Sequence, residues 1–91
     1  MSEPMVHYES EVLHELSGFG LVPRPWTPPA LVRTYLNELY KWELRQLRDQ
    51  VRRGELAKSL LSSRVVVLRG RYTLLSRPLE TWTVPAAPPH E

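Results

Sequence analysis

The feature that most constrains this chain is a run of apolar residues at helical spacing between Pro28 and Arg53. Val32, Leu36, Leu39, Tyr40, Leu44, Leu47 and Val51 fall, at about 100° per residue, within roughly a third of a helix circumference, the width of a core-facing stripe. Lys41, Arg45, Arg48 and Arg52 fall together on the opposite side. Leu31, Tyr35 and Trp42 form a narrower patch between the two. Thr27 and Pro28 suit an N-cap and a first helical residue, with Trp26 and Leu31 placed as a hydrophobic staple. Gly54 is placed to end the helix. One helix over about 28–53 is therefore expected to organise the molecule.

Around it the chain is short. Its 91 residues fit one small domain, with stability of a few kcal/mol or a core shared with a partner. The expected layout is a mainly α domain over 1–82 followed by a disordered tail at 83–91, where proline and alanine dominate. A first helix is expected over 4–17, with Met5, Val12 and Leu16 on one face and Gly18 after its end. Four of the nine prolines lie in 19–29 and predict an extended link. After Gly54 the pattern is ambiguous. A helix of about 58–69 stopping at Gly70 is favoured; the alternative is a hairpin at 65–75 that turns at Arg69-Gly70, which would make the chain α+β. Leu74, Leu75, Leu79 and Trp82 then read as an extended C-terminal arm laid over the helices.

Composition narrows the chemistry. With no cysteine, disulfides and thiolate metal sites are excluded. No apolar run reaches the ~20 residues of a membrane helix. The N-terminus lacks the basic-then-apolar pattern of a secretory leader, so a soluble cytoplasmic protein is expected. The net charge of +2 conceals an asymmetry. The segment 21–79 holds all twelve Lys and Arg against four acids, while the two ends are acidic. A basic centre can attract an anionic partner, or the chain's own N-terminal helix.

Several candidate constellations are weak. His7, Glu11 and His14 stand at metal-compatible spacing on one side of the first helix, but no second pair or further carboxylate completes a site, so no metal is expected. Glu43 points into the apolar stripe, where a carboxylate must pair, shift its pKa upward or face an interface. Pairing with an Arg or Tyr from another segment is the expected solution. No His, Cys or Ser is arranged for nucleophilic or acid–base work. Pro25 and Pro28 complete a PxxP, which the start of the long helix explains without a partner. Phosphate loops, dinucleotide fingerprints and zinc spacings are absent.

The expectation is thus a non-enzymatic interaction protein, an accessory subunit or homo-oligomer, without cofactor or identifiable small-molecule substrate. Its candidate interaction residues are Tyr35, Trp42, Glu43, Lys41, Arg45, Arg48 and Arg52. Trp, Tyr and Arg are the residue types that carry interfaces. The expected partner is another protein or a second copy, a homodimer through Tyr35 and Trp42. The alternative is nucleic acid, with the basic stripe tracking phosphates and the flanking aromatics stacking on bases.

Overall fold

The computed structural model describes residues 5–84. The molecule is mainly helical: α1 spans Ser10–Ser17, α2 Pro29–Arg52 and α3 Leu61–Arg71, with 3-10 turns at Lys58–Leu60, Thr73–Ser76 and Leu79–Thr81. The long helix with a shorter one on each side is as the apolar spacing implies. The expected tail lies outside the described residues from position 85 onward. No described helix is long and apolar enough to cross a membrane.

The chain divides into two compact units. The first comprises Met1–Val32 and Arg77–Glu91. Its core holds Tyr8, Val12, Leu16, Val32 and Trp82. The first helix is shorter than the expected 4–17, because residues 5–9 are extended. Their backbone groups find partners away from any helix: Val6 N–H donates to Pro25 O (2.6 Å), Glu9 N–H to Trp82 O (2.9 Å), and Val84 N–H to His7 O (2.7 Å). An isolated antiparallel bridge joins Tyr8 to Thr83, and the Tyr8 hydroxyl donates to Thr27 O (2.7 Å). Those bonds satisfy the segment as a helix would have, while burying the Tyr8 ring. Burial also raises the Tyr8 pKa above its ordinary value.

The start of α2 also differs in detail. Arg24 to Thr27 closes as a turn with Pro25 in second position: Thr27 N–H donates to Arg24 O, and Arg24 N–H to Thr27 Oγ1, both at 3.0 Å. The Thr27 hydroxyl therefore faces back into the turn rather than capping the helix. The Pro28 carbonyl receives Leu31 and Val32 N–H, and Pro29 supplies the first helical residue, where a missing N–H costs nothing. Trp26 and Leu31 are both exposed and form no staple; the Arg24 guanidinium lies 5.9 Å from the Trp26 ring centre.

The second unit is Arg33–Ser76. It buries Leu36, Leu56, Leu68, Tyr72 and Leu74. Leu39, Leu44, Leu47 and Val51 are half-buried, so the α2 stripe is fully covered only near its start. The helix ends in a Schellman arrangement: Gly54 N–H donates to Val51 O and Glu55 N–H to Gln50 O, with Gly54 at φ +76°.

The hairpin alternative at 65–75 is not formed. Leu61, Val65, Leu68 and Tyr72 recur at helical spacing and face inward as half-buried or buried residues. A hairpin would have divided them between two faces. The helix also runs through Gly70 to Arg71 rather than stopping at Gly70, and the chain then winds into the turn Thr73–Ser76. That turn is tied to α2 by the Arg33 guanidinium, which donates to Leu75 O (3.3 Å).

Candidate interaction surface

Within the 33–76 unit, α3 lies against α2 through one polar cluster. Glu43 Oε2 accepts the Tyr72 hydroxyl, and Glu43 Oε1 accepts Arg71 at 3.4 Å. The Tyr40 and Tyr72 rings meet edge to face, 5.1 Å between centres. Burial and then the bond to Glu43 push the Tyr72 pKa well above its ordinary value. Both Glu43 oxygens accept a hydrogen bond, so this carboxylate links α2 to the C-terminal end of α3.

On one flank of α3 the cluster opens into a groove of about 410 Å³. Trp42, Leu47, Val67 and Leu68 give it an apolar lining, with Gln46, Gln50, Arg64 and Arg71 around them. Trp42 is 51% exposed and Val67 65%. Tyr35, one heptad before Trp42 and on the same face of α2, is 60% exposed. On the other flank of α3 lies a second groove of about 480 Å³, lined by Arg48, Lys58, Leu61, Ser62, Val65, Val66 and Arg69. It contains no carboxylate and no aromatic ring.

The basic stripe is on the surface as its spacing implies: Lys41, Arg45, Arg48 and Arg52 are all exposed. Its neutralisation is partial. The 33–76 unit holds ten Lys and Arg against Glu38, Glu43, Asp49 and Glu55, a net of +6. Each acid is already engaged, with Lys41 (3.4 Å), Arg71 (3.4 Å), Arg52 (3.7 Å) and Arg53 (2.7 Å) respectively. Arg45, Arg48, Lys58, Arg64 and Arg69 make no ion pair among the described residues.

The structure brings Trp42 and Glu43 to one groove and places Arg48 in the other. Tyr35, Lys41, Arg45 and Arg52 line neither. Sequence reasoning missed Lys58, Arg64, Val66, Val67 and Arg69. Helical spacing of Leu61, Val65, Leu68 and Tyr72 carried the signal: it puts 64, 67 and 71 on one flank of α3, and 62, 66 and 69 on the other. In the first unit, the Glu11 carboxylate is held by Arg77 at 2.9 Å. Among the described residues, no three His, Cys, Asp or Glu side chains converge as metal ligands. No protein-family model, no curated protein and no solved structure matches this chain.

Proposed function

We propose that the chain is a non-enzymatic interaction protein that binds a protein partner through the α2–α3 surface of its 33–76 unit. The observation that carries this reading is a groove with Trp42 and Val67 in its apolar lining, both more than half exposed, and with Tyr35 exposed one heptad earlier on the same face of α2. Aromatic residues open to solvent beside arginines are the composition of binding hot spots. The one acid in the groove, Glu43, is engaged by Tyr72 and Arg71, which supports a structural role for it.

A second copy is the simplest such partner, since a two-fold axis buries the same patch twice. Two +6 surfaces repel, so self-association through this face should strengthen as salt screens them. The nucleic-acid reading draws on the same excess of cations and has the opposite salt dependence.

Two solution measurements test the proposal together. Sedimentation at about 10–100 µM, across salt concentrations, reads self-association, with Trp42→Ser as control. Anisotropy of a labelled mixed-sequence RNA reads nucleic-acid binding. The expected result is no RNA binding at physiological salt. Micromolar RNA binding that weakens with salt, and that Arg45, Arg48 and Arg52→Gln relieve by roughly one phosphate contact each, contradicts it.

A further inference from the structure

The groove on the far flank of α3 differs in kind from the Trp42 groove. Three cations, Arg48, Lys58 and Arg69, border it with no carboxylate among its lining residues. Every acid of the unit is engaged elsewhere, so these three find no counter-charge within it. Between them runs an aliphatic strip of Leu61, Val65 and Val66, with Val66 65% exposed. An occupant that satisfies both features carries negative charge flanking aliphatic groups.

From this geometry we infer that the Arg48–Lys58–Arg69 groove docks an acidic amphipathic helix of a partner protein. The inference rests on the reading of the 33–76 unit as a protein-interaction module and assigns a partner of stated chemistry to a second groove of it, separate from the Trp42 groove. A helix laid along α3, whose 11 residues span about 16 Å, presents Leu-type anchors at i, i+3, i+4 and i+7 to the valine strip. Its flanking Glu or Asp residues meet the three cations, an arrangement that sets orientation and on-rate as well as affinity. Single-stranded nucleic acid offers the charge but is poorly matched. It binds by stacking on aromatic platforms, and the groove holds no aromatic ring; Trp42 lines the opposite one.

The test uses the full chain and a synthetic peptide of about 15 residues with Leu at those spacings, Glu at the positions flanking them and Ala or Gln elsewhere, its helicity checked by circular dichroism and its binding followed by fluorescence anisotropy. The controls are the same peptide with Leu→Ser and a single-stranded RNA of equal charge. The groove predicts a Kd on the order of 10 µM for the Leu/Glu peptide, a range where a modest groove of this kind binds. Loss should be at least tenfold for the Ser/Glu peptide, from the apolar area left unburied. Arg69→Gln and Lys58→Gln should each weaken binding about two- to fivefold, as exposed ion pairs do. Val66→Ser, at an exposed position that leaves the core untouched, should weaken it about tenfold; Val22→Ser, exposed and outside the 33–76 unit, should leave it unchanged. Equal binding of the two peptides overturns the inference, because the aliphatic strip then plays no part. So does tighter binding of the RNA, or no binding of the Leu/Glu peptide up to about 100 µM. If that peptide fails while a native partner is still lost on Trp42→Ser, the acidic occupant alone is wrong and the interaction reading stands.

Discussion

At the scale of one residue, Glu43 shows how a carboxylate on an apolar stripe is accommodated. Such a group must pair, shift its pKa upward or face an interface. Here it accepts a phenol and a guanidinium and joins α2 to α3. Removing the phenol isolates that role. Tyr72→Phe should cost about 1–2 kcal/mol at neutral pH, the value of a partly buried hydrogen bond to a charged group. The same residue makes stability depend on alkaline pH. Burial, foremost, raises the pKa of both Tyr8 and Tyr72 above the ordinary tyrosine value. The folded chain therefore holds these protons more tightly than the unfolded chain, whose tyrosines ionise near about 10. Their contribution is complete below pH about 10 and is lost as pH rises beyond it. Thermal melts from about pH 8 to 11 should show falling stability above about 10, and Tyr72→Phe should flatten that fall. An identical slope in wild type and variant would remove Tyr72 from the account.

Elements differ in how far they could be read from the chain. α2 was legible because its information is local: a stripe of seven apolar residues, proline at its start and Gly54 at its end. The glycine has a conformational reason. Gly54 sits at φ +76° with open space around the position of a Cβ, so crowding is not the constraint. Gly54→Ala should cost about 1–2 kcal/mol through backbone strain alone, measurable by urea denaturation; no loss would mean the helix end relaxes freely. The segment before α1 was not legible, because residues 5–9 are fixed by backbone bonds to 25 and to 82–84, distant in sequence. A helix is the favoured sequence reading of α3, and its β-branched run leaves the hairpin open; the helical spacing of Leu68 and Tyr72 decides for the helix. The stripe of α2 also overstated burial. Leu36 is fully buried, whereas Leu47 is half-buried. Leu36→Ala should therefore cost about 2–5 kcal/mol and Leu47→Ala distinctly less. Equal costs from chemical denaturation would show that the far end of α2 is better covered than its exposure indicates.

For the whole molecule, the division of charge is the dominant fact. The 33–76 unit carries +6 and the remainder of the chain −4. The sequence already showed that asymmetry. It could not show which cations stay unpaired, because pairing depends on helix faces and on the α2–α3 packing. Nor could it show the two grooves, since α3 supplies four of the nine lining residues of one and five of the seven of the other. The central claim is that a protein partner engages the Trp42–Val67 face. Nuclease-treated affinity capture from the native host tests it most directly, comparing wild type with the Trp42→Ser, Val67→Ser double variant by quantitative mass spectrometry. Both positions are more than half exposed, so the variant keeps its core. The account predicts a defined protein partner, or an excess of the untagged chain itself, that survives nuclease and is lost with the double variant. Partners captured equally by both proteins, or material that disappears with nuclease alone, would contradict it.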